Sequence, residues 1–234
     1  MSKILVVDEN IYEKSAQSLE KLGFSLIKMP KNDVLEEKIS SHPDMSVARI
    51  KNDIFIDSTI AHLFGEAASI KKCQRNRTSG SVYSYPESIE FNCAAVGDRL
   101  ICYEKYTIKQ ILEYANKCGM KIVNVKQGYS KCSVCVVNNN AIITEDDSIE
   151  REANKCGIDV LKISKGHVKL HGYDYGFIGG CSGLIDENLL AFNGSIEIHP
   201  DYDRIYEFCI RHCIKIISLS NENLYDIGSI IRIK

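Results

Sequence analysis

Cys132 and Cys181 are thiols, His42 is an imidazole, and Asp44 is a carboxylate two residues beyond it. Brought together, these are the parts of nucleophilic catalysis: a sulfur to attack, a ring nitrogen to move a proton, an acid to hold positive charge. Asn92, Lys131, Asp174, Tyr175 and Asp226 would complete such a site as substrate-binding groups. Paired carboxylates beside a thiol suit a cationic, planar substrate, which they can grip with two hydrogen bonds at once.

These residues are scattered over the chain, so a repeat must gather them. Small-residue junctions lead into short apolar strands at five places: Met45-Ser46 before VARI, Asn92-Cys93 before AAV, Cys132-Ser133 before VCVV, Cys181-Ser182 before Gly183 to Ile185, and Gly228-Ser229 before IIRI. They cut the chain into units of roughly 40–50 residues, the spacing of a repeat architecture. The units run 1–46, 47–93, 94–133, 134–182 and 183–229, with a closing strand at 230–234. Each reads as hairpin, helix, strand, junction, all within a single domain. Asn116-Lys117-Cys118-Gly119 returns as Asn154-Lys155-Cys156-Gly157 at the same helix end. Predicted helices cover 11–22, 58–70, 107–118, 148–156 and 201–212, and 72–85 reads as a long loop. The first unit lacks the front half of its hairpin, and the C-terminal IIRIK supplies one without a second half. Strand 230–233 should therefore pair with strand 3–7 and close a five-unit α/β ring, removing exposed strand edges. The five junction loops would then meet in one axial pocket.

Each candidate also has a plainer reading. Cys132 and Cys181 precede serine at a strand entrance, where small residues fit crowded packing. His42-Pro43-Asp44 recurs as His199-Pro200-Asp201, where the aspartate suits a helix cap. Asp226 can bond the amides of its own turn. His167 and His171 flank the glycine-rich loop near the pocket. Cys132 and Cys135 have a CxxC spacing but no second pair, so no metal and no cofactor are expected. The basic stretch Lys71 to Arg77 reads as a solvated loop.

The formal net charge of −2 gives no electrostatic reason to expect nucleic acid. No apolar run approaches ~20 residues, which speaks against a membrane span. No export signal is visible, so the ten cysteines are expected reduced in the cytoplasm. The partner expected is a small molecule, with no oligomeric state indicated.

A closed ring of five such units resembles the pentein fold of the guanidino-group-modifying enzymes, which include arginine deiminases, dimethylargininases and amidinotransferases. It also resembles the ribosome anti-association factor, which has the fold without an enzyme site. HPDM (42–45), VKQGYSKCS (125–133), GYDYGFIGGCSG (172–183) and DIGSII (226–231) are closer still to an uncharacterised bacterial family assigned to this fold. The resemblance implies a hydrolase or transferase acting on a guanidino or amidino compound. Enzymes of that group use a cysteine near the C-terminus and a histidine at a middle junction. Here Gly228-Ser229 stands at the first place and Gly180-Cys181 at the second. A covalent mechanism would fall to Cys132 or Cys181. The other reading is a non-catalytic protein that binds a ligand or a protein partner.

Overall fold

The computed structural model describes residues 3–65, 69–76 and 82–234. Strand β1 (Lys3–Asp8), helix α1 (Glu13–Lys21) and β2 (Phe24–Met29) come first. Next are β3 (Val47–Ile50), β4 (Asp53–Asp57) and β5 (Ile70–Cys73), then β6 (Ala94–Val96), β7 (Arg99–Cys102), α2 (Lys109–Lys117) and β8 (Lys121–Asn124). The fourth group is β9 (Val134–Asn138), β10 (Ala141–Thr144), α3 (Asp147–Lys155) and β11 (Asp159–Lys162). The last is β12 (Ser182–Asp186), β13 (Leu189–Phe192), α4 (Tyr202–Arg211) and β14 (Lys215–Ser218), followed by β15 (Ile231–Arg232). Among the described residues no helix is long and apolar enough to cross a membrane.

The strands form five separate three-stranded sheets with one recurring order, an antiparallel hairpin followed by a parallel strand. β15 lies antiparallel to β1, Val6 opposite Ile231, and Ile233 N donates to Ile4 O at 3.0 Å. The two ends of the chain thus complete the first sheet, as the IIRI and VARI strings imply. Among the described residues the five sheets are separate and none closes on itself. Packing joins the units instead. Val6, Val47 and Ile56 share one apolar cluster, Phe55, Leu100 and Ile111 the next, and Val96, Ile142 and Ile149 a third. Val137, Leu190 and Ile205 share a fourth, while Leu5, Leu19, Ile185 and Ile230 join the fifth unit to the first.

The helices keep one register from unit to unit. Ile111 and Ala115, Ile149 and Ala153, Ile205 and Cys209 are the buried pairs of α2, α3 and α4, four residues apart and so on one face. Four residues further, Gly119 and Gly157 turn the chain out with φ of 66° and 71°. Met120 N and Ile158 N then reach back to Ala115 O and Ala153 O at 2.9 and 3.1 Å. At the end of α4 this left-handed position is held by Cys213, φ 58°, which is exposed.

The second unit departs from the pattern. In place of a helix to Ile70 it has a 3-10 turn over Ser58–Leu63, capped by Asp57, whose carboxylate accepts from Thr59 N at 2.9 Å, and not by Ser58. The basic stretch is not a solvated loop: Lys71 to Cys73 belong to β5, paired parallel to β4, and Arg75 is 4% exposed. Arg75 binds Asp57 and Met45 O, donates to Ser88 O at 3.0 Å, and lies 3.5 Å from Glu90. One guanidinium fork therefore ties β4 to the loops that precede β3 and β6. Part of the predicted loop, 77–81, lies outside the described residues. Asp201 is not a capping side chain either, since its carboxylate accepts from Ser164 N at 2.8 Å and pairs with Arg204.

Arg75→Met strands two buried carboxylates and should destabilise the fold by about 3–5 kcal/mol. Lysine at this position should restore little, as read from the urea midpoint. Cys213→Gly should stabilise by about 0.5–1 kcal/mol, because glycine adopts the left-handed conformation without strain. An unchanged midpoint for the glycine variant would contradict the strain assigned to that helix end.

Candidate active site

The junction loops meet where first-strand entrances converge, and glycines permit the approach. A Cβ on Gly180 would lie 2.0 Å from Asp226 Oδ1, and one on Gly228 2.2 Å from His42 Cβ. Gly180 N donates to Cys132 O at 2.8 Å, and Ser229 N and Ile227 N donate to Gly180 O at 2.7 and 3.0 Å. Backbone bonds thus hold the third, fourth and fifth junctions to one another, and Asp44 N, donating to Gly228 O at 3.1 Å, adds the first.

Asp44 is fully buried. Its Oδ2 accepts from Cys132 Sγ and from Ser229 Oγ, each at 2.9 Å, and its Oδ1 has no hydrogen-bond partner among the described residues. Ser229 Oγ in turn receives Lys131 Nζ at 3.0 Å. Asn92 serves the loop as a clamp: Oδ1 accepts Lys131 N at 2.7 Å and Cys132 N at 3.4 Å, and Nδ2 donates to Cys132 Sγ at 3.4 Å. The His42 ring sits between two acids, Nε2 3.8 Å from Asp8 Oδ2 and Nδ1 3.9 Å from Asp226 Oδ1. Those acids are themselves held. Asp8 accepts from Asn10 N at 2.7 Å and Ser41 Oγ at 2.9 Å, and Asp226 from Gly228 N and Phe177 N, both at 2.9 Å.

Burial dominates the electrostatics. It raises the Cys132 thiol well above its ordinary range, and the charges of Asp44 and Asp226 add to it. Cys132 therefore rests as a thiol that donates its hydrogen bond to Asp44 Oδ2. Burial likewise raises the Asp226 carboxyl, with His42 opposing. His42, Asp44 and Cys132 present ligand atoms all within 4.8 Å of one another, a set able to hold a soft divalent ion.

Above this floor opens a cavity of about 270 Å³ lined by His42, Cys132, Asp174, Asp226 and the aromatic rings of Tyr129, Tyr173, Tyr175 and Phe177. Tyr85 packs on Tyr129 at 5.5 Å between ring centroids, so the predicted loop reaches the cavity wall. Lys38 lies over the Tyr173 ring and donates to Gly172 O at 2.9 Å, fastening the glycine-rich loop to the rim. Acidic groups under aromatic walls make a receptor for a small organic cation.

Of the residues proposed from sequence, His42, Cys132, Asp174, Tyr175 and Asp226 line this cavity, and Asp44 and Asn92 lie beneath them. Cys181 does not line it: its side chain enters the apolar core, donates to Ile178 O at 3.3 Å, and is raised well above its ordinary range by burial. Lys131 and Cys93 line a different cavity on the hairpin-turn side. His167 and His171 are exposed; His167 packs edge-on against His199 instead. Ser229 and Asp8 were not foreseen. The parallel between unit ends was the signal that could have found Ser229, since it stands at the fifth junction.

The chain belongs to the family of unknown function DUF6873, which it matches over residues 6–231. No curated protein matches its sequence. Its fold is similar to that of SxtG, an amidinotransferase from Microseira wollei in the saxitoxin biosynthetic pathway, with a TM-score of 0.60 at 9% identity, covering 100% of this chain and 94% of that one. It is also similar to DDAH from Pseudomonas aeruginosa, solved with citrulline, at 0.55 and 11%, covering 94% and 93%. An agmatine deiminase from C. jejuni matches at 0.54 and 11%, covering 99% and 92%. The α/β fold is therefore that of the pentein enzymes.

Glu145, at the end of β10, is buried with Oε2 accepting from Ile178 N at 3.2 Å, and burial pushes its carboxyl up to about 8. Between its ordinary 4.5 and about 8 the unfolded chain has lost this proton and the folded chain has kept it. Stability therefore falls as pH rises through that window. Glu145→Gln should raise the unfolding temperature at about pH 8, by about 2–4 kcal/mol of stability, and leave it little changed at about pH 4. Equal gains at both pH values would show that Glu145 is not the titrating group.

Proposed function

We propose that the protein is a hydrolase or transferase acting on a guanidino or amidino compound in the junction-side cavity, with Cys132 as nucleophile. The observation that carries this reading is the Cys132 Sγ to Asp44 Oδ2 hydrogen bond of 2.9 Å on the floor of an acidic, aromatic-walled cavity. An arriving cation, held by Asp226 and Asp174 against the tyrosine rings, offsets the negative charge that keeps the thiol protonated. Cys132 Sγ then bonds the central carbon as its proton passes to Asp44. One C–N bond breaks, and His42, lying between Asp8 and Asp226, supplies the proton for the departing amine. Water or an acceptor amine releases the product from sulfur. The pentein likeness and the circuit of shared cores support a five-bladed propeller of one domain, which would make this cavity axial.

The raised Cys132 thiol favours a second reading, a protein that binds a cation without transforming it. A panel of guanidino and amidino compounds, assayed for released amine, separates the two. Turnover should fall by at least about 10²-fold in Cys132→Ala and Asp44→Asn and persist in Cys181→Ala. Full activity in Cys132→Ala would refute the thiol mechanism. Binding without turnover, read as a thermal shift in the parent protein, would establish the second reading.

A further inference from the structure

The hairpin turns of four units surround a second cavity, about 680 Å³, which shares no lining residue with the first. Its charged lining is Arg49, Lys51, Lys131 and Arg232, against Asp186 and Glu187. Asp186 is already engaged, pairing with Lys3 and, at 3.0 Å, with Arg232. Among the described residues no carboxylate lies within 4.0 Å of a nitrogen of Arg49, Lys51 or Lys131. Arg49 Nη1 donates to the backbone oxygen of Arg232 at 3.2 Å, so both arginines belong to the same wall. Burial, and then the Arg232 charge, lower the Arg49 pKa, an unfavourable setting for the cation that a nearby anion would offset. Lys131 reaches the cavity from the inner side, its ammonium donating to the Ser229 hydroxyl at 3.0 Å. Between the cations lie Val136, Leu184 and Ile230, which suit an organic body.

We propose that this cavity is a second ligand site, for a small organic molecule bearing a phosphate group. The guanidinium of Arg49 can donate to phosphate oxygens beside the Arg232–Asp186 pair, Lys131 adds a point charge at depth, and the volume lies in the range of metabolite pockets. The site is independent of the reading given to the opposite cavity.

The test is calorimetric titration of the purified protein with inorganic pyrophosphate at low salt, with citrate as the carboxylate counterpart. Pyrophosphate should bind more tightly than citrate. Its affinity should drop at least about tenfold in Arg49→Ala and in Lys131→Met, and stay unchanged in Cys132→Ala. An unchanged unfolding temperature checks that the Arg49 variant is folded. No binding at millimolar pyrophosphate, tighter binding of citrate, or affinity indifferent to both Arg49→Ala and Lys131→Met would each overturn the proposal.

Discussion

A carboxylate withdrawn from water must find donors, and Asp44 finds them on other units. Its Oδ2 collects the thiol of Cys132 and the hydroxyl of Ser229, and its own amide donates to Gly228 O. Three junction loops from remote parts of the sequence thereby share one fully buried charge. Arg75 makes a comparable knot one layer out, between β4 and the loops that deliver Asp44 and Asn92. Because each loop is fixed through another's polar group, the site and the mutual placing of the units are one problem.

The repeat was legible because packing writes it in register. The residues four apart on each helix, and the turn residue four beyond, recur whatever else changes. The pairing of β15 with β1 was likewise readable from two similar apolar strings. β5 was not, because Lys71-Lys72 masks a strand that faces the core only through Ile70 and Cys73 while Lys71 pairs with Asp53 at the surface. The direction of side chains escaped sequence reasoning too. Lys131 and Cys132 are neighbours in the turn before β9, yet one lines the hairpin-turn cavity and the other the junction cavity. Cys181 has the junction position of Cys132 and the opposite fate, buried among Val137, Leu190 and Phe192. Of the aromatic walls only Tyr175 was foreseen, since Tyr129, Tyr173 and Phe177 read equally well as core.

The junctions of this chain carry serine at the fifth, a thiol at the third and an imidazole at the first. These loops lie against one another, so side chains from remote parts of the sequence reach one floor. Function in such a scaffold follows from which loops carry which groups, more than from their order along the chain.

The glycines at the convergence have a further meaning. A Cβ on Gly179 would lie 2.5 Å from Lys131 O, and one on Gly183 2.1 Å from Ile230 O. With Asp44, Ser229 and Lys131 bonded across the same spot, the described residues set a partition between the two cavities. Anything admitted past the tyrosine rim would have to leave by the way it came.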